Sequence, residues 1–343
     1  MNKSLLALAV LGAFAGTVSA QSSVTIGGTR DMAARHISNQ GRGSVQVLAT
    51  NGLSSSALRF FGTEDMGGGL KAGFWLEADV NGDTGTSAAK FWGRRSTVSL
   101  ISRFGEVRLG RDYTPTFWNM TIFDPFGTNG VGNSLNPAIY SGQTTYVRAD
   151  NSVGYFLPAM GGIYGQVMAA AGEGNLAGKY VGGRLGFAAG PFNVAAAYGR
   201  QYAATASFPA GVVAGTGRFQ SWNIGGSYDL GMAKLMAQYD NEEFQGNNRE
   251  TNRMLVGVSV PMGQGTINAS YVRTDQKNSS NDATQVALGY QYALSKRTTI
   301  YGTASRLDNK GVLQLTIGGG PAGFIPNPGR NSTGIEAGLR HTF

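Results

Sequence analysis

The sequence has no cysteine and only two histidines, His36 and His341. Disulfides, thiolate metal sites and cysteine nucleophiles are therefore excluded. Zinc centres and Ser–His–Asp machinery would have to be built from two histidines far apart in the chain, so no metal, no cofactor and no enzymatic activity is expected. Charged residues are few, 14% of the chain, and Lys and Arg are scattered with no run longer than two, which argues against a nucleic-acid surface despite a net charge of +8. Long apolar runs are also missing. After the first twenty residues no stretch approaches the roughly 20 apolar residues of a membrane helix.

The one short apolar run lies at the start. Lys3 precedes "LLALAVLGAFAGTV", and Ser19 and Ala20 follow just before Gln21. A basic start, a brief apolar core and a small-residue exit describe a secretory signal peptide over 1–20. Its removal would leave 27 basic against 20 acidic residues. An exported chain without cysteine must then be stabilised by backbone pairing and packing alone.

Period-two alternation is the dominant pattern of the remainder. In "SWNIGGSYDL", Trp222, Ile224, Tyr228 and Leu230 oppose Ser221, Asn223, Ser227 and Asp229. Leu235, Ala237 and Tyr239 oppose Lys234, Gln238 and Asp240, and Val286, Leu288, Tyr290 and Tyr292 oppose Gln285 and Gln291. The terminal "GIEAGLRHTF" sets Ile335, Ala337, Leu339, His341 and Phe343 against Glu336, Arg340 and Thr342. Each run reads as a strand with one apolar and one wet face.

Short connections at 64–69, 102–105, 159–162, 189–192, 263–265 and 295–297 alternate with longer polar ones at 33–53, 81–90, 203–218, 245–250, 277–282 and 308–331. The longest connection is 113–143. Short turns at one end and long loops at the other describe an up-and-down meander of about 16 strands, with no composition break to divide 21–343. Glycine, 53 of 343 residues, often sits inside strands, where it permits the bending of a closed sheet. A soluble β-sandwich would alternate too, but aromatic-ended, apolar-out strands in even number match an all-β, 16-stranded antiparallel transmembrane barrel.

The chain resembles the general diffusion porins of Gram-negative outer membranes, most closely the trimeric, anion-selective β-proteobacterial type. The resemblance rests on "GTEDMGGGLKAGFWLEAD" (62–79), "GRRSTVSL" (93–100), "RFGEVRLGRDYTPT" (103–116), "DPFG" (124–127), "DNSVGY" (150–155) and the terminal Phe343. It implies a barrel with its third long loop, 113–143, folded into the lumen, and a terminal phenylalanine read by the barrel-assembly machinery. It also implies a homotrimer in contact with outer-membrane lipid and lipopolysaccharide.

The resemblance further implies an arginine ladder at Arg94 and Arg148, opposed by Glu77 on the wall and Asp124 in the inward loop. Ala57 stands where a third ladder arginine is usual, and Arg59, two residues on and on the same face, is read as its replacement. Arg94 and Arg95 are neighbours, so alternation would send them to opposite faces. The motif points Arg94 inward and Arg95 outward, toward a neighbouring subunit, with Arg111 as a second outward candidate. Local alternation instead groups Arg95 with Thr97 and Ser99. Arg95 and Arg108 therefore remain possible pore residues. The implied function is passive diffusion of small hydrophilic solutes with a preference for small anions. The alternatives are a channel dedicated to an organic acid or phosphate and, from another class, a barrel adhesin or enzyme.

Overall fold

The computed structural model describes residues 23–203 and 215–343. The expected leader at 1–20 and its boundary at Gln21 lie outside the described residues. The strands are β1 (Ser23–Asn39), β2 (Gly43–Thr50), β3 (Ala57–Gly67), β4 (Leu70–Asp79), β5 (Arg95–Ser102), β6 (Gly105–Tyr113), β7 (Arg148–Phe156), β8 (Ile163–Ala170), β9 (Tyr180–Ala189), β10 (Phe192–Gln201), β11 (Phe219–Asp229), β12 (Lys234–Phe244), β13 (Arg249–Met262), β14 (Gly265–Gln276), β15 (Asp282–Ala293), β16 (Thr298–Asn309) and β17 (Ser332–Thr342). Among the described residues one α-helix, α1 (Pro115–Ile122), follows β6, and a short 3-10 turn, Leu176–Gly178, precedes β9.

All pairings between consecutive strands are antiparallel, and β1 pairs with β17 to close the sheet on itself. β1 also pairs with β2 through Met32–Asn39 and with β3 through Ser23–Thr29. β2 and β3 are thus two halves of one wall strand, interrupted at 51–56, and the barrel has 16 strands. Closure leaves no unpaired edge, which a lipid environment requires.

Alternation decides the two faces. In β1 the odd residues Asp31, Ala33, Arg35, Ile37 and Asn39 are buried inside, while Arg30, Ala34 and His36 point out. Outward Val98, Leu100, Leu185, Val286, Leu288 and Ile335 are exposed apolar side chains around the wall. They form the apolar band expected of a surface bathed in hydrocarbon.

Residues 33–53, expected as an external loop, are instead mostly strand, with a turn only at 40–42 between β1 and β2. Arg35, Asn39 and Gln46 gave the segment its polar look. Inside the barrel, however, Arg35 pairs with Glu336 at 2.6 Å and Asn39 Nδ2 donates to the Phe324 carbonyl at 2.7 Å. The interruption at 51–56 is organised by Asp31. Its carboxylate accepts from the amides of Leu53 (2.8 Å) and Ser54 (2.6 Å) and from the Tyr301 hydroxyl.

The long loop spans 114–147, four residues beyond the expected end, and is folded into the barrel. Asn119 Nδ2 donates to the Ala195 carbonyl and to Asn223 Oδ1 (3.1 and 2.8 Å), and Gln285 Nε2 donates to the carbonyls of Gly132 and Asn133 (3.2 and 3.0 Å). Glycines on the inward rows make room for it: Gly225 faces the Phe123 ring, Gly257 Pro125, and Gly289 Phe126. Phe117, Met120, Val131, Ile139, Tyr140 and Tyr146 of the loop pack against Phe219, Phe244, Ala283 and Leu307 of the wall. Leu313, Leu315 and Ile317 of a second loop, 310–331, complete this core. Each fully buried large apolar side chain contributes about 1.5–3 kcal/mol, so the loop is held by a core of its own. That core lies against the later strands and leaves β3–β7 as the facing wall.

Candidate functional site

The register of three neighbouring strands builds the site. Arg59 of β3 lies opposite Glu77 of β4, and Glu77 lies opposite Arg95 of β5. All three therefore share the inward row. Arg94 precedes β5, where its amide donates to the Glu77 carbonyl at 3.1 Å. It sits where the chain enters the sheet, so the opposition of strand neighbours does not yet apply to it. Both arginines of the pair consequently reach the interior. Arg95 is not the outward residue that the motif implied.

Glu77 is the hub of the lower half. Its carboxylate accepts Arg94 Nε at 2.6 Å and Trp75 Nε1 at 3.0 Å, and Arg59 Nε lies 3.4 Å away. Arg59 also donates to Thr29 Oγ1 at 3.1 Å. The upper hub is the Tyr113 hydroxyl, which accepts from Arg94 Nη2 at 2.8 Å and Arg148 Nη2 at 2.7 Å. The Arg148 guanidinium also lies over the Tyr113 ring, 4.3 Å from its centre. Tyr113 in turn stacks on Phe117 of α1. Arg59, Glu77, Arg94, Tyr113 and Arg148 thus form one connected row that ends at the inward loop.

The charges on this row do not cancel. Glu77 is held by Arg94 and Arg59, and Asp79 lies 3.8 Å from Arg94. Arg148 has no carboxylate partner among the described residues, and its Nε is buried without a hydrogen bond. Asp124, expected to oppose the ladder, does not face it. It is 5% exposed and accepts from the amides of Phe126 (2.9 Å), Thr128 (2.9 Å) and Ser134 (3.2 Å). Burial pushes its carboxyl above the ordinary aspartate range, and those donors pull it back. Asp124 is the sole charged residue of 114–147. The inward loop therefore offers the row no carboxylate.

Arg108 lies on the inward face below the row, at 2.6 Å from Asp112 and 2.9 Å from Glu106. Arg95 is 3.8 Å from Asp112 and covers the Trp75 ring at 4.8 Å. Arg111 lies opposite Ser96 on the outward row, and spends its guanidinium within the chain on Asp150 (2.7 Å) and the Gly93 carbonyl (2.7 Å). Phe343 closes the barrel at the other end, exchanging backbone hydrogen bonds with Gly28. Tyr113, Trp75 and Asp79 are the site residues that sequence reasoning missed. Tyr113 stood in the quoted "GRDYTPT", but a neutral phenol carries no charge pattern to mark it.

A closed 16-stranded barrel with an apolar outer band and a charged row facing an inward loop defines a transmembrane channel protein of the porin class. The profile of the family described as Gram-negative porin matches residues 7–312, and the chain belongs to that family. It is 37% identical to outer membrane porin protein 32 of Delftia acidovorans, over the whole of both chains. It is 28% identical to the major outer membrane protein P.IB of Neisseria meningitidis serogroup B, again over the whole of both. Among solved structures, the anion-selective porin from Comamonas acidovorans superposes with a TM-score of 0.85 at 35% identity, covering 94% of this chain and 100% of that one. The trimer form of OmpT, an outer membrane protein of Vibrio cholerae, shares the fold with a TM-score of 0.70 at 17% identity, covering 94% and 99%.

Proposed function

We propose that this outer-membrane porin passes small hydrophilic solutes by diffusion and prefers anions, the choice being made at Arg59, Arg94 and Arg148. The observation that carries this reading is the absence of any free carboxylate on the inward loop, together with an Arg148 that no acid among the described residues neutralises. Fixed guanidiniums in a confined aqueous passage raise the local anion concentration and repel cations. Arginine suits the task because it stays charged at every relevant pH. The anion-selective relative at 35% identity supports the same direction. The deciding experiment is the reversal potential of the purified channel in a planar bilayer under a KCl gradient. Chloride preference supports the reading, and potassium preference removes it.

The working unit on this proposal is a homotrimer embedded in outer-membrane lipid and lipopolysaccharide. The leader 1–20 is cleaved on export, and Phe343 is presented to the barrel-assembly machinery. Arg111 remains the candidate subunit contact, while Arg95 serves the lumen. Conductance in steps of three per inserted unit would support the trimer.

A further inference from the structure

Against the row, sharing Glu77 and Tyr113 with it, lies a cavity of about 370 Å³, within the roughly 300–1,000 Å³ of small-ligand pockets. Its walls combine two chemistries. Trp75, Trp118 and Phe156 supply aromatic surface, and charge comes from Arg95, Arg108 and Arg184 together with the carboxylates of Glu77 and Asp112. Two of the three cations are accounted for. Arg108 is paired with Asp112 and Glu106 while lying over Phe156 at 3.9 Å, and Arg95 shares Asp112. Arg184, on the inward row of β9, has no carboxylate partner among the described residues. Its Nε and Nη1 are buried and make no hydrogen bond. Trp118 and Tyr164 lie at 5.9 and 5.1 Å from its guanidinium carbon, so rings flank the group while its hydrogen-bonding edge is unused.

A buried guanidinium with unpaired N–H groups is costly unless an anion completes it. Nε of Arg184 shares with Nη2 the planar edge that matches a carboxylate with two parallel hydrogen bonds, while Nη1 points to the other side. Trp118 projects from α1 and is 38% exposed, an indole left bare beside that edge. One uncompensated charge calls for a monoanion, and ring faces on the same walls call for a ring. We infer that this cavity is a transient binding site for monocyclic aromatic carboxylates on their way through the channel, with Arg184 taking the carboxylate and Trp118 the ring. The inference rests on the anion-preferring channel proposed above and names a solute class for it.

The test is interruption of the chloride current of the whole channel in a planar bilayer. Benzoate, cyclohexanecarboxylate and acetate are added in turn to each side. Benzoate should interrupt the current at concentrations at least tenfold below those needed for the other two. Arg184→Gln should raise the half-blocking benzoate concentration by tenfold or more, Arg184→Lys by less, and Trp118→Leu should bring benzoate to the level of cyclohexanecarboxylate. Equal block by benzoate and cyclohexanecarboxylate in the unmodified channel would overturn the inference without any variant. So would benzoate block that survives Arg184→Gln. The KCl reversal potential of the unmodified channel is recorded in the same bilayer. Loss of chloride preference there defeats the parent reading, whereas chloride preference without benzoate block defeats this one alone.

Discussion

The backbone N–H of Val131 donates to the Glu336 carboxylate at 2.9 Å, and so ties the inward loop to the last strand of the barrel. The same carboxylate holds Arg35, with both side chains almost fully buried. Arg35 Nη1 continues to the Gly318 carbonyl at 2.7 Å, so one ion pair fastens both loops. Breaking a buried pair by removing one partner costs about 3–5 kcal/mol, because the other charge is left stranded. Glu336→Ala should lower the thermal unfolding temperature in detergent and increase open-channel current noise. A quiet channel of unchanged stability would mean that the apolar core alone holds the loop.

Selectivity should follow the unneutralised charge. Arg148→Ala removes a guanidinium that no acid among the described residues balances, and should move the reversal potential in a KCl gradient toward cation passage. Asp124→Asn removes a carboxylate that is enclosed by its own loop, and should move it much less. The Arg148 effect should grow at low salt, since screening acts over about 8–10 Å near physiological ionic strength and over longer distances below it. A larger shift from Asp124→Asn would restore Asp124 to the passage.

Much of the wall was legible because a strand with one wet face writes its orientation into every second residue. Gln285, Glu336 and Asp240 were all assigned to the wet face and lie inside. Legibility failed where the period breaks. Gly110 pairs with Ser152 but Asp112 with Ala149, so the β6–β7 register shifts between Gly110 and Asp112, and Asn151 opposite that shift has φ 52°. That β-bulge flips the parity. Arg148 meets Arg94 only because both reach the Tyr113 hydroxyl at the strand ends. Arg94 lies outside its strand, so the apparent conflict with Arg95 came from counting it as a strand residue. Asp124 was misplaced because a motif gives a residue's position, not the amides that will enclose it.

The inward glycines predict where the loop can be displaced. A Cβ on Gly225 would run into the Phe123 ring, and one on Gly257 into Pro125. Neither neighbour is the free end of a flexible chain. Gly225→Val should push α1 and the following turn toward the β3–β7 wall, reducing single-channel conductance while the barrel still forms. Gly226→Val, whose Cβ would point outward with no contact closer than 3.5 Å, is the matched control and should conduct as the unmodified protein does. Equal conductance in the two variants would show that the loop yields at no cost.

Phe343 separates assembly from stability. Its backbone closes the barrel, donating to the Gly28 carbonyl at 3.1 Å and accepting the Gly28 amide at 3.0 Å. Neither bond needs the ring. The residue is 53% exposed on the outward face, its ring lying over Gly28, where it could be read by another protein before it meets lipid. Phe343→Ala keeps both backbone bonds and loses only that half-exposed ring, so protein refolded in detergent should melt close to the unmodified barrel. In cells, the same variant should reach the outer membrane more slowly and at lower level, measured by pulse-labelling and heat-modifiable mobility. Phe343→Tyr, which keeps an aromatic ring, should recover most of the level. If the refolded variant melts far below the unmodified barrel, the ring is part of the closure and low abundance in cells needs no assembly signal. If it accumulates at the unmodified rate, the terminal aromatic is not what the assembly machinery reads.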